Sequence, residues 1–144
     1  MPKRIYKIQG ISLGTASSNT RYGRKEDSLL VTLPQESILS GKFTSNKLKA
    51  APVKLAIENL SNSKKAKKVL LINAGNANAA TGPKGLKDVR KYCKEIALDF
   101  KISEENVIPF STGVIGEPLA IKNYLSAFRE ASKGLTENKW KKAA

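Results

Sequence analysis

The run Lys68-Val69-Leu70-Leu71-Ile72 passes directly into NAGNANAATGPKG, from Asn73 to Gly85, and this junction constrains the fold more than any other feature of the chain. A short continuous apolar run is the pattern of a strand buried on both faces. The segment after it carries hardly a large side chain, so it cannot build a core and must serve through its backbone and small polar groups. Beyond Gly85, residues Leu86, Val89, Cys93, Ile96 and Phe100 fall on one helical face, which predicts an amphipathic helix to about Phe100. The unit of strand, small-residue loop and helix then recurs. Val107 to Phe110 is a second brief strand, Ser111-Thr112-Gly113-Val114-Ile115-Gly116 a second glycine-containing loop, and Pro118 opens a helix carrying Leu119, Leu125 and Phe128. Both loops sit where backbone N–H groups at a helix start can face negative charge.

Ahead of the first unit, Ile5 to Thr15, Ser28 to Leu33 and Ile38 to Thr44 read as strands, expected as antiparallel neighbours. Ala50-Ala51-Pro52 opens a helix with Val53, Ile57 and Leu60 on one face, proline being tolerated in the first turn. Near the end, Thr136 is expected to cap one more short helix bearing Trp140. With 144 residues and 40% hydrophobic content, residues 1–144 are expected to form a single domain of mixed α and β structure. No internal repeat or low-complexity linker divides it. The N-terminus MPKRIYKIQG has no apolar core of a signal peptide, and no stretch approaches the roughly 18 apolar residues of a membrane span. A soluble, unsecreted protein is expected, and the single cysteine, Cys93, agrees with a reducing compartment.

The net charge of +14 raises a basic nucleic-acid-binding module as an alternative function. The excess is mostly lysine, whereas base and phosphate readers favour the planar guanidinium. Only 6% of residues are aromatic, and none interleaves with the basic run Lys64 to Lys68 as a stacking platform.

Histidine is absent, which removes Ser-His and Cys-His nucleophile pairs, imidazole bases and histidine metal sites. Cys93 lies on the apolar helix face and is expected in the core. The acidic residues are scattered, and Glu104-Glu105 falls in a loop ahead of Val107, so no metal and no cofactor is expected. Neither GxxxxGK[ST] nor GxGxxG occurs. Ser111 to Gly116 remains: a hydroxyl followed by a glycine at a strand-to-helix turn can supply an oxyanion hole, or be an ordinary turn.

In order and spacing, FTSN (Phe43 to Asn46), AAPV (Ala50 to Val53), NAGNANAATG (Asn73 to Gly82) and STGVIG (Ser111 to Gly116) resemble the N-terminal portion of the ornithine acetyltransferase family, also called glutamate N-acetyltransferase, of arginine biosynthesis. The resemblance runs from about Gly10 to the last residue. It implies an α/β fold of the α-β-β-α sandwich type, incomplete in this chain, and a cytoplasmic enzyme made as a precursor that cleaves itself before a threonine. That threonine's freed amine and hydroxyl act as base and nucleophile, so no histidine is needed. Acetyl passes from N-acetylornithine to the threonine and on to glutamate; some members also use acetyl-CoA. The two chains stay associated, as a hetero-oligomer of two alpha and two beta chains. By the match, Thr112 and Gly113 supply the oxyanion hole through hydroxyl and amide.

The cleavage threonine, the rest of the alpha chain and the Thr-Thr-Asp-Thr segment that helps bind substrate fall outside this sequence, so the chain alone is expected to be inactive. Unpaired sheet edges and apolar faces, with poor solubility or association, are a further expectation. The family usually has serine where this chain has Ala74, and Thr81 falls inside the small-residue motif rather than at a cleavage point. Asn76 and Asn78 are left with two roles, bonding the substrate or bracing the neighbouring loop.

Overall fold

The structure, a computed structural model, describes residues 5–63 and 65–144. Four strands form one sheet in the order β1 (Ser12–Ala16), β2 (Ser28–Leu33), β3 (Lys68–Asn73) and β4 (Val107–Ser111). The pairs β1/β2 and β2/β3 are antiparallel, and β3/β4 is parallel, connected through the long helix α2 (Gly82–Phe100). A parallel neighbour requires such a crossover, since a hairpin can only return antiparallel.

Side-chain alternation gives the sheet two unlike faces. Ala16, Leu30, Val69, Leu71 and Val107 pack against α1 (Ala51–Asn62), α2 and α3 (Ile121–Lys133) in the main core. From α2 come Val89, Tyr92, Cys93 and Ile96, all buried, the aliphatic Val89 and Ile96 each contributing about 1.5–3 kcal/mol by removal from water. Gly14 on β1 lets α3 approach closely: a Cβ there would collide with the Ala131 carbonyl. The opposite face carries Leu13, Val31 and Leu33, covered in part by Trp140 and Ala143 of the one-turn helix α4 (Trp140–Ala143). Elsewhere this face is open. Leu70 and Ile72 are only half-buried, and Phe110 is 44% exposed.

The α/β class is as expected, with one sheet and one full helix layer present, and several local readings are corrected. Only Ser12–Ala16 of the first predicted strand pairs; Gly10, at φ +80°, turns the chain just before it. Ile38 to Thr44 is not a strand: its sequence neighbour β2 is already flanked by β1 and β3, the segment pairs with neither outer edge, and Ile38 stands 90% exposed. On α1 the buried side is Leu55, Ala56 and Asn59, with Val53, Ile57 and Leu60 half-buried at its margin. Asn59 fits there because its Nδ2 donates to the Val107 carbonyl at 2.7 Å. Helix α3 begins at Ile121, so Pro118 and Leu119 lie in the approach to it. Thr136 does not cap α4; it exchanges backbone hydrogen bonds with Leu13, extending β1 on its free side. The residues Met1–Arg4 and Lys64, the latter opening the predicted basic run, lie outside the described set.

Candidate functional site

Strands β3 and β4 end side by side, with Asn73 opposite Ser111, and each runs into one of the two small-residue loops. The loops continue the ladder. Thr112 N–H donates to the Asn73 carbonyl (3.0 Å), Val114 N–H to Gly75 (3.2 Å) and Gly116 N–H to Ala79 (2.8 Å), while Ala77 N–H returns a bond to Val114 (2.9 Å). Every second amide of the Ser111–Gly116 loop thus faces its neighbour. The intervening Gly113 N–H makes no bond to that neighbour.

Gly113 sits at φ +128°, a region that favours glycine. A Cβ there would strike the Gly75 carbonyl carbon and lie 2.6 Å from the Asn76 nitrogen. Thr112 and Gly113 are both exposed. Among the described residues neither the Thr112 hydroxyl nor the Gly113 N–H has a hydrogen-bond partner. Chemically, the pair offers two adjacent donors for an anionic oxygen. Neither residue lines either of two concavities beside these loops. One, of about 630 Å³, is bounded by Lys47, Lys49, Lys54, Ala79, Pro83 and Ile115. The other, of about 300 Å³, is bounded by Thr20, Arg21, Gly75, Asn76, Glu117 and Tyr124. The two donors therefore stand on an open surface, and any site there needs a further wall.

The asparagines belong to the scaffold. Asn73 donates from Nδ2 to the Asn76 carbonyl (2.8 Å) and accepts from the Ser111 hydroxyl (2.6 Å). Asn76 donates to the carbonyls of Glu117 and Pro118, both at 3.2 Å, and accepts from Asn78 N–H at 2.8 Å. Asn78, fully buried, donates to the Gly85 carbonyl at 3.0 Å and accepts from the Thr81 hydroxyl at 2.7 Å. Of the two roles left open by the sequence, bracing is the one observed. Thr81 is held at the start of α2 by that bond. Ala74 has both backbone groups engaged, its N–H by the Asp27 carbonyl (2.8 Å) and its carbonyl by the Tyr124 hydroxyl (3.0 Å). The contributions of Asn73 and Tyr124 were missed from sequence; the spacing of asparagines at 73, 76 and 78 was the available signal for the first, and nothing marked the second.

Burial pushes the Cys93 thiol well above its usual range, so it stays neutral within the core, as its place on the apolar face predicted. Among the described residues no cluster of acidic and cysteine side chains could hold a metal ion, and no helix is long and apolar enough to cross a membrane.

Residues 12–144 match the ArgJ family. The chain belongs to that family. Among curated ArgJ relatives it is 40% identical over 141 residues to the "Arginine biosynthesis bifunctional protein ArgJ" of Methylococcus capsulatus, a match covering 98% of this chain and 34% of that protein. It is 37% identical to the protein of the same name from Colwellia psychrerythraea, covering 100% of this chain and 36% of that one. The chain spans about a third of the length of these ArgJ relatives. Among solved structures it resembles the ornithine acetyltransferase of Mycobacterium tuberculosis, crystallised with ornithine (TM-score 0.82, 24% identity, 90% of this chain and 69% of that one), a likeness that shows the fold. It also resembles the ArgJ protein of Bacillus halodurans (TM-score 0.76, 28% identity, 90% of this chain and 71% of that one).

Proposed function

We propose that this chain supplies the oxyanion-stabilising half of a glutamate N-acetyltransferase site. The reaction is acetyl transfer from N-acetylornithine to glutamate through an acetyl-threonine intermediate, with the nucleophilic threonine carried by the part of the enzyme beyond this chain. The observation that carries the reading is the pair of adjacent, exposed, unpartnered donors at Thr112 and Gly113, in a loop pinned to its neighbour through the amides of 112, 114 and 116. Family membership supports an acetyl-transfer role in arginine biosynthesis.

In the first half-reaction the threonine hydroxyl adds to the acetyl carbonyl carbon, its proton passing to the threonine's own amine. The carbonyl oxygen becomes anionic, and the Thr112 hydroxyl and Gly113 N–H donate to it. Collapse breaks the C–N bond, ornithine leaves with the returned proton, and an ester remains. Glutamate's amine then adds to the ester carbonyl, its proton passing to the threonine's own amine; the same two donors receive the oxygen, and the C–O bond breaks as that proton returns to the threonine oxygen, releasing N-acetylglutamate. A neutral donor pair fits this work because it stabilises charge only while charge is present. Acetyl-CoA as a second donor, the pairing of two alpha and two beta chains and a cytoplasmic location complete the reading.

The test is reconstitution: this chain is joined to the residues that follow the matched third of the Methylococcus capsulatus relative, and acetyl transfer from N-acetylornithine to glutamate is measured. Transfer by the assembly and none by the chain alone is the expected result. No transfer by a folded assembly would overturn the reading. The basic surface gives the competing one: nucleic-acid affinity falling steeply with salt is its signature, and a flat response dismisses it.

A further inference from the structure

We propose that Asn76 is the positioning residue of this site: its side-chain amide fixes the Ser111–Gly116 loop so that the Gly113 N–H stays aimed outward. The proposal rests on the acetyltransferase reading of Thr112 and Gly113 and assigns Asn76 no contact with substrate.

The donor loop has two glycines, both at positive φ, within four residues, Gly113 at +128° and Gly116 at +82°. Glycine backbone is free to rotate, so a loop of this composition does not hold an amide in one direction by itself. Something outside must hold it, because an oxyanion donor is effective only when it is oriented before charge develops. Asparagine amides provide the hold at both ends. Ahead of the donors, Asn73 accepts the Ser111 hydroxyl. Behind them, Asn76 donates to the Glu117 and Pro118 carbonyls. Asn76 also makes the ledge on which the glycine rests, since a Cβ at 113 would come within 2.6 Å of the Asn76 nitrogen. Its backbone bridges Val114 directly, one residue past the donor.

Asn76 needs a neutral amide for this. Its nitrogen donates to two carbonyls while its oxygen accepts Asn78 N–H at 2.8 Å. A carboxylate of the same shape keeps the acceptor and sets negative charge against two carbonyl oxygens. Asn78 makes a matched comparison. It is buried in the same loop, yet its side chain bonds Gly85 and Thr81 on the α2 side and makes no hydrogen bond to the donor loop.

The experiment compares Asn76→Asp, Asn76→Ala and Asn78→Ala in the reconstituted assembly, measuring melting, kcat and KM for both substrates, and the two half-reactions in single turnover. Asn76→Asp should lower kcat roughly 10- to 100-fold, the scale of a misaligned catalytic group, with each KM within about twofold. Both half-reactions should slow by the same factor, because one pair of donors serves both tetrahedral intermediates. Asn78→Ala should lower the melting temperature and leave kcat within about twofold. If Asn76→Asp fails to melt cooperatively, Asn76→Ala decides by the same criteria. Equal loss of kcat in the Asn76 and Asn78 variants, a loss confined to KM, kcat within about twofold of the parent, or failure of both Asn76 variants to fold each overturns the proposal. An inactive parent assembly is a different outcome, and it removes the acetyltransferase reading itself.

Discussion

The two small-residue loops leave adjacent parallel strands at the same end of the sheet, yet they dispose of their polar groups in opposite ways. In the Asn73–Thr81 loop the three asparagine amides, the Thr81 hydroxyl and the backbone of Ala74 are bonded inside the protein. In the Ser111–Gly116 loop the adjacent Thr112 hydroxyl and Gly113 N–H have no partner among the described residues, and neither does the Ile115 N–H. Loops rich in the same small residues therefore serve as scaffold or as donor surface according to where their hydrogen bonds go. Buried polar side chains are nearly always paired, so the internal bonding of its three asparagine amides marks the first loop as structure. Unpaired donors gain meaning because the surface holding them is exposed and their neighbours are fixed.

The strongest way to break this contrast is to put a side chain on the donor glycine. Gly113→Ala drives a Cβ into the Gly75–Asn76 backbone and places a non-glycine residue at φ +128°. The loop must move and the amide lose its aim. Acetyl transfer by the reconstituted assembly is expected to fall by ~10²–10³-fold, the scale of a lost oxyanion donor. A melt should show a stability loss of about 1–3 kcal/mol from the strain. Activity retained within tenfold would take Gly113 out of the mechanism.

The hydroxyl gives a smaller and cleaner effect. Thr112→Val keeps the shape and removes one exposed donor that holds nothing in place. Transfer should drop about 10- to 100-fold while stability shifts by less than about 0.5 kcal/mol, as for most surface substitutions. Thr112→Ser should recover most of the rate. A stability loss without a rate loss would make Thr112 scaffold, like the asparagines.

How legible this was from sequence depends on the range of the forces involved. The strand–loop–helix units were readable because the spacing of Leu86, Val89, Cys93 and Ile96 is a local signal, and α2 forms over Gly82–Phe100 much as that spacing predicts. Ile38 to Thr44 misled because short apolar runs do not say which strand they would pair with, and the order of strands in a sheet is a property of the whole chain. Thr136 misled in the converse way: a good capping residue paired instead with Leu13, far away in sequence. The donors at 112 and 113 could be named from the motif, but not that they would stand on an open surface, outside the concavities beside their loops.

The third expected effect lies on the scaffold side. Asn78→Ala leaves the Gly85 carbonyl and the Thr81 hydroxyl without their bonds to Asn78 Nδ2 and Oδ1 in a buried region. The substitution also puts alanine at φ +45°, where asparagine is better tolerated. A loss of about 2–4 kcal/mol in denaturant unfolding is expected, each unsatisfied group contributing about 1–3 kcal/mol. Unfolding unchanged within about 0.5 kcal/mol would mean that the first loop is less tightly braced than its bonds imply.

The smallest effect tests a departure from the family pattern. Ala74 follows Asn73 at the end of β3, at the position where the motif resemblance leads one to expect serine. If a hydroxyl there were needed to orient the backbone, this chain would be handicapped at a sensitive point. Its backbone is already held from both sides, by the Asp27 carbonyl on the N–H and the Tyr124 hydroxyl on the carbonyl. Asp27 is itself fixed, accepting Ser18 N–H at 2.8 Å. Ala74→Ser is therefore expected to change stability by less than about 0.5 kcal/mol and acetyl transfer by less than about twofold. A rise in kcat above fivefold with unchanged stability would instead place a serine hydroxyl at 74 on the donor side of the contrast, beside Thr112, and the site would then comprise three donors drawn from both loops.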